Sequence, residues 1–183
     1  MERKFTRWWP HKHEGSSYPL THLHPFRFSM ELRATEIYAA RAVEIRVGFS
    51  CHTFTRGPIG GDGDLQPYLA REGEVRMFCH ERYPLSKSLP DIIRNLPTRK
   101  CHFAGRENYF VVQNHPLLAA GEEYRVFFDV RHGGVTNVAL LFVQSAYPAI
   151  LEKGSPHGAR RKTVGFRVLV SHALRNTKPS PPP

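Results

Sequence analysis

The strongest constraint on the fold of this chain is a repeated alternation of apolar and polar residues. Seven segments have the β-branched and aromatic residues that strands favour, and the first two of them alternate clearly. They are FRFSMEL (26–32), VEIRVGFSCHTF (43–54), EVRMFCHERY (74–83), NYFVVQ (108–113), EYRVFFDVRH (123–132), VALLFVQ (138–144) and VGFRVLVSH (164–172). The segment VALLFVQ is apolar on both faces, which predicts a central strand, and the turn HGGV (132–135) predicts a hairpin with the segment before it.

One helix is predicted over SKSLPDIIRNLP (86–97). Ser88 is placed to cap its N-terminus, Pro90 suits a first helical turn, and Pro97 ends the helix. The segment RATEIYAAR (33–41) is either a second short helix or an irregular connection. Together these elements predict an α+β fold, in which one or two short helices pack on a mainly antiparallel β-sheet.

The 183 residues of the chain suit a single domain. We expect a strand-rich domain over 23–173, between a basic flexible segment at 1–22 and a disordered Pro-rich tail at 174–183. The net charge of +10 lies largely in the ends, since residues 1–14 contribute +2, residues 151–183 contribute +6 and the middle contributes +2. Basic, flexible ends favour a polyanion such as RNA or DNA, or an acidic protein, as the partner.

Several classes of protein are excluded by patterns that the sequence lacks. There is no run of about 18 apolar residues, so we expect no membrane span and no membrane partner. No apolar segment follows the basic N-terminus, as a secretory signal would require. Three cysteines, an odd number, favour free thiols and therefore a reducing, cytoplasmic location. The chain also has no phosphate-binding Walker loop, dinucleotide fingerprint or nucleophile elbow.

Each of the three cysteines is followed directly by a histidine, in FSCHTF (49–54), MFCHER (77–82) and KCHFAG (100–105). Adjacent side chains of a strand point to opposite faces. The pattern therefore predicts that the cysteines lie on an apolar face and the histidines on a face that also carries arginines. If these strands are neighbours in one sheet, that face gathers His52, His80, His102, Arg46, Arg76, Arg82 and Arg125.

Such a face has the groups that a metal-independent ribonuclease needs. Imidazoles take and give protons near neutral pH, and guanidinium groups offset the charge that grows on phosphate. We therefore predict RNA or DNA as the partner and, if the protein is an enzyme, phosphodiester cleavage as the reaction. The predicted catalytic residues are His52, His80 and His102, and the predicted phosphate-binding residues are Arg46, Arg76, Arg82 and Arg125. No metal ion and no cofactor is expected.

The same residues leave other interpretations open. The face also fits a solvated surface without chemistry, on a non-catalytic interaction or regulatory protein whose basic ends dock an acidic partner. Three imidazoles on adjacent strands can bind zinc, and HKH (11–13) and HLH (22–24) hold His-x-His pairs that chelate when extended. The loop GGDGD (60–64) offers Asp62 and Asp64 to a divalent cation. Cysteine nucleophile chemistry is the last alternative, although the apolar neighbours of the cysteines favour inert thiols.

One further stretch, GEEYRVFFDVRHGGVTNVALLFV (121–143), resembles the C-terminal hairpin of RelE-like toxins, which are small ribosome-dependent ribonucleases. The shared pattern is a tyrosine-arginine-valine run, an acidic residue, a glycine turn and an apolar strand. The chain is longer than these toxins and lacks their pair of long N-terminal helices. The resemblance implies RNA chemistry and identifies no catalytic residue.

Overall fold

Strands make up most of the regular structure in a computed structural model, which describes residues 5–36, 39–62, 65–71, 73–104, 109–150 and 162–180. The described strands are β1 (His11–His13), β2 (Ser16–Tyr18), β3 (Phe26–Leu32), β4 (Arg41–Phe49), β5 (Thr55–Arg56), β6 (Leu69–Arg71), β7 (Glu74–Phe78), β8 (Lys100–Phe103), β9 (Tyr109–Gln113), β10 (Glu122–His132), β11 (Val138–Ile150) and β12 (Thr163–Gly165). The described helices are α1 (Arg82–Ser86), α2 (Leu89–Arg94) and α3 (Phe166–Leu174), with 3-10 turns at Thr21–Leu23, Cys51–Thr53 and Leu96–Thr98. The predicted α+β class is confirmed.

The largest sheet has seven strands in the order β12–β8–β9–β10–β11–β4–β3. Its pairs are antiparallel except that of β11 with β4, which is parallel. β11 lies between β10 and β4, so the apolar segment 138–144 belongs to the central strand that its sequence predicts. β10 and β11 form the predicted hairpin, whose turn places Gly134 and Asn137 at positive φ values of 76° and 57°.

Two smaller sheets are separate from this one. One has the strand order β5–β7–β6, and the other is a hairpin of β1 and β2. β7 is therefore not a neighbour of β4 or β8, and the expectation that the three Cys-His segments share one sheet face is wrong. The reason is local, because β4 ends at Phe49 and β7 ends at Phe78, and each strand stops before its Cys-His pair.

The helix predicted within 86–97 is confirmed as α2, but it ends at Arg94, before Pro97, and the Ser88 hydroxyl donates to the Leu85 carbonyl instead of capping the helix. α1 precedes it and includes residues 82 and 83, which the alternation assigned to a strand. The segment 33–41 is an irregular connection over its described residues 33–36 and 39–40, after which β4 begins.

The prediction of a strand over 164–172 is wrong beyond β12, because the chain continues there as α3. The buried residues of this helix are Phe166, Leu169, Val170 and Ala173. That spacing places them on one face of a helix. Val168, which a strand would bury beside Val170, is 46% exposed. α3 packs with this buried face against β10 and β11, in the middle of the large sheet.

All three cysteines are buried, as the alternation predicts, with Cys51 4%, Cys79 7% and Cys101 0% exposed. They are free thiols. Burial raises the pKa of the Cys101 thiol to about 12. It is also the main reason that the pKa of Cys51 is raised. Buried thiols of this kind pack as small apolar groups.

The N-terminal segment predicted to be flexible, residues 1–22, contains the β1–β2 hairpin. Trp8, just before it, packs against Phe54 with the ring centroids 5.6 Å apart. The Nε1 of Trp8 also donates a hydrogen bond of 3.1 Å to the carbonyl oxygen of Phe49. These contacts hold the hairpin against the end of β4.

In the C-terminal tail, the described residues 175–180 contain neither helix nor strand. Within the described ranges, every helix is too short or too polar to cross a bilayer.

We expect Leu169→Ala to lower the free energy of unfolding by about 2–5 kcal/mol, because it removes buried methyl groups from the contact between α3 and the sheet. Val168→Ala, at the exposed neighbouring position, should change it by less than about 0.5 kcal/mol. Urea unfolding followed by circular dichroism measures both variants. A strand in this segment would reverse the order of the two effects, since it would bury Val168 and expose Leu169.

Candidate functional site

A cavity of about 410 Å³ opens where β1, the loop before β6 and the end of β7 meet. Residues of its wall include Trp9, His11, Lys12, His13, Arg56, Leu65, Tyr68, Phe78 and His80. We refer to it as the histidine pocket. Ligand pockets usually measure about 300–1,000 Å³, so this volume suits a small molecule or one unit of a polymer such as a nucleotide.

Three histidines of the pocket lie close together. His11 and His13 are two positions apart on β1 and are half-buried on one face, while Lys12 between them is exposed. Their ring centroids are 6.2 Å apart, and the ring of His80 lies 5.9 Å from that of His13. Burial lowers the pKa of His11, and the charges of His13 and His80 lower it further. Titration of His11 therefore depends on its neighbours.

Aromatic rings hold two of these imidazoles, His11 and His80, in place. His11 stacks on Phe78 with ring centroids 4.1 Å apart and planes 12° apart. His80 is contacted edge-on by Phe78 and by Tyr18 of β2, each at 5.1 Å. Because Tyr18 is the register partner of His11, the β1–β2 hairpin supplies both His11 and one of the two rings that contact His80.

A flat aromatic surface lies at the edge of the pocket. Trp9 stacks on Tyr68 with centroids 5.2 Å apart and planes 12° apart, and the Tyr68 hydroxyl donates a 2.9 Å hydrogen bond to the Trp9 carbonyl. Trp9 is nevertheless 52% exposed, and nearby Leu65 is 49% exposed. An exposed indole held rigid from behind is a surface on which a planar ligand can stack.

Asp62 of the loop GGDGD pairs with a cationic side chain of the protein. Asp62 makes a two-pronged salt bridge with Arg56, and it also accepts a 2.7 Å hydrogen bond from the backbone N–H of Ile59. The hydrogen bonds from Arg56, followed by that from Ile59, lower the pKa of Asp62 to about 2. Asp62 therefore fixes Arg56 at the wall of the pocket. Asp64, the other carboxylate of the predicted site, lies outside the described residues.

Among the residues predicted from the Cys-His pattern, His52, Arg76 and Arg82 come together at the turn after β4. His52 lies in the 3-10 turn Cys51–Thr53, and its Nε2 is 2.7 Å from Glu74 Oε1. Arg76 donates to the Thr55 side chain and carbonyl, at 3.0 Å each. Arg82 donates to the carbonyls of His52 and Thr55, at 3.1 and 2.8 Å. In this arrangement the two guanidinium groups hold the backbone of the turn.

The other predicted residues lie elsewhere. His80 belongs to the histidine pocket. His102 lies on β8 and packs on Phe110. β8 and β4 are four strands apart in the large sheet, a distance of about 19 Å. Arg46 on β4 pairs with Glu44 at 2.6 Å, and Arg125 on β10 pairs with Glu123 at 2.5 Å. The structure thus divides the seven predicted residues among several places instead of one face.

Sequence reasoning missed His11 and His13 as partners of His80. Their His-x-His spacing indicates a shared strand face, but the segment was assigned to a flexible end. In the second such pair, HLH, both histidines have structural contacts. His22 Nε2 lies 2.9 Å from the Ser86 hydroxyl, and His24 Nε2 lies 3.1 Å from the Trp8 carbonyl. Burial, with smaller contributions from the charges of neighbouring groups, lowers the pKa of His22 to about 4.

The chain belongs to the YjaZ family, whose profile matches residues 10–174. The matched region includes all three histidines of the pocket. No curated protein matches the chain, and no solved structure does. The likeness of 121–143 to the RelE-like hairpin therefore stays a resemblance of pattern.

We expect His80→Gln to raise the pKa of His11, because the charge of the His80 imidazolium opposes protonation of its neighbour. A histidine-selective NMR titration of wild type and variant measures this shift. His132→Gln, at the β10–β11 turn, is the matched control and should leave the His11 titration unchanged. An unchanged or lower His11 pKa in His80→Gln would show that the two rings are not coupled.

Proposed function

We propose that this protein binds single-stranded RNA in the histidine pocket and cleaves its phosphodiester backbone without a metal ion. The observation that carries the proposal is the pair His13 and His80, whose rings lie 5.9 Å apart at the wall of a 410 Å³ cavity. Two imidazoles at that separation can flank one phosphate, with one acting as base and the other as acid.

The reaction requires one proton to leave the substrate and another to enter it. One imidazole takes the proton of the ribose 2′-hydroxyl, and the 2′-oxygen attacks the adjacent phosphorus. The bond from phosphorus to the 5′-oxygen breaks, and the second imidazole, protonated beforehand, gives its proton to that oxygen. The products are a 2′,3′-cyclic phosphate and a 5′-hydroxyl. We assign these two roles to His13 and His80, whose rings lie 5.9 Å apart.

Neighbouring groups supply binding and charge stabilisation. Lys12 and Arg56 are both residues of the pocket wall, where Lys12 is exposed and Arg56 is held by Asp62. Either cation can offset the charge that develops on the phosphate oxygens. The exposed face of Trp9 is suited to stack a base, as aromatic side chains do in single-strand-binding proteins. The net charge of +10 supports a polyanionic ligand.

This proposal replaces the residue set expected from the Cys-His pattern, and it keeps the class of reaction. Arg76 and Arg82 already donate hydrogen bonds to backbone carbonyls, which favours a structural role for both. We further propose that the protein works in the cytoplasm, because three free buried thiols are typical of a reducing compartment.

Cleavage of a fluorescent single-stranded RNA in the presence of EDTA tests the proposal. We expect His80→Ala and His13→Ala each to slow cleavage by at least about 100-fold, since each removes one proton-transfer group. His132→Ala is the matched control and should cleave at the wild-type rate. The same oligonucleotide with 2′-deoxyribose at every position should bind but stay intact, because it lacks the attacking hydroxyl.

Three results would contradict this account. Unchanged cleavage in both pocket variants would remove the catalytic role of the histidines. Cleavage of the deoxy substrate would exclude attack by a 2′-oxygen. RNA binding without any cleavage by the wild type would support the alternative, a non-catalytic protein that docks an acidic partner. In that case binding should still weaken with added salt and with Lys12→Ala.

A further inference from the structure

A second cluster of reactive side chains lies at the turn after β4, apart from the histidine pocket. Cys51, His52 and Glu74 each offer one ligand atom, and these three atoms all lie within 4.8 Å of one another. In this cluster, His52 Nε2 and Glu74 Oε1 lie 2.7 Å apart. Among the residues that the structure describes, this is the group of three potential metal ligands whose ligand atoms lie within 4.8 Å of one another. None of the three residues has a part in the proposed RNA cleavage.

The turn explains how adjacent residues come to face the same point. On a strand, Cys51 and His52 would point to opposite faces. Here the strand has ended, and Ser50 caps a 3-10 turn by accepting a 3.2 Å hydrogen bond from the backbone N–H of His52. Within that turn both side chains reach Glu74, the first residue of β7. The Cys-His pair can therefore act together because it is not in a strand.

The distances fit a tetrahedral metal after small side-chain adjustments. Zinc binds thiolate at about 2.3 Å and imidazole or carboxylate at about 2.0–2.2 Å, which places neighbouring ligand atoms about 3.3–3.6 Å apart. To reach this spacing, the two ligand atoms of any pair would have to move closer by at most about 1.5 Å. The distance between His52 Nε2 and Glu74 Oε1 would have to increase by about 0.6 Å. A thiolate, an imidazole and a carboxylate form a donor set that zinc favours.

Charge and burial also suit a divalent cation. A thiolate and a carboxylate together would balance its two positive charges, and the Arg76 guanidinium also acts on both of these groups. Residue Cys51 is 4% exposed, whereas the side chain of His52 is 40% exposed, so the metal can enter from the side of the imidazole. Without metal, burial and the nearby Glu74 charge raise the pKa of the Cys51 thiol. Binding of the metal would displace that thiol proton.

We propose that Cys51, His52 and Glu74 bind one zinc ion and leave a fourth position for water. The ion would join the end of β4 to the start of β7. It would thereby connect the seven-stranded sheet to the three-stranded sheet that forms part of the pocket wall.

Cobalt and zinc titrations of chelator-stripped protein test this site. We expect one cobalt ion per chain, with a thiolate-to-cobalt charge-transfer band in the near ultraviolet that zinc then removes by displacement. The band identifies a cysteine ligand, so weak binding to the exposed His11 and His13 cannot produce it. Calorimetry in buffers of different ionisation enthalpy should show about one proton released for each zinc ion bound.

Variants separate this site from other metal binding. Cys51→Ser should abolish the band, and Glu74→Gln should retain it while weakening the affinity for cobalt at least about tenfold. Cys79→Ser, another buried thiol, is the matched control and should keep both the band and the affinity. If Cys51→Ser fails to fold by circular dichroism, the comparison of Glu74→Gln with the control decides the question. The proposal is overturned if the wild type gives no band, if the band survives Cys51→Ser, or if Glu74→Gln binds as tightly as the control.

Discussion

Two arginines hold the turn on which the rest of the structure depends. Arg76 reaches it from β7 and Arg82 from the start of α1, and both donate to the carbonyl of Thr55, a residue with no solvent exposure. A buried carbonyl without a partner would cost about 1–3 kcal/mol, so these bonds make the turn stable where it leaves the large sheet. β5 begins at Thr55 and pairs with β7, which brings Phe78 and His80 to the β1–β2 hairpin. The pocket exists because of that turn.

Much of the fold follows from the alternation of apolar and polar residues. The elements that this alternation predicts wrongly share one physical cause. β10 was predictable because its apolar residues repeat with the period of a strand, and the central β11 was predictable as a continuous apolar run that follows a glycine turn. In the segment 164–172, the spacing of the apolar residues does not distinguish a strand from a helix. Its apolar residues fit a strand through Val168 and Val170 and a helix through Leu169 and Val170. Packing against β10 and β11 selects the helix, and the sequence alone does not contain that contact.

The candidate site was less predictable, because it depends on where strands end and on which distant segments meet. The burial of the cysteines was correct, but the expected position of the histidines assumed strands that continue through each Cys-His pair. Ser50 ends the first of these by capping a turn, and a cap of that kind is hard to recognise inside an apolar run. The HKH spacing indicated a shared face for His11 and His13. Its partner His80 lies more than sixty positions away, and that pairing comes from the aromatic contacts around Tyr18 and Phe78.

The central claim is that the three histidines and the exposed tryptophan form one ligand site. A crystal structure with a bound 2′-deoxy dinucleotide, which the protein should not cleave, tests it most directly. The account predicts that the bridging phosphate lies within hydrogen-bonding distance of the His13 and His80 imidazoles, with one base stacked on Trp9. A phosphate bound instead beside Arg46 or His102, or a pocket left empty at saturating dinucleotide, would contradict it.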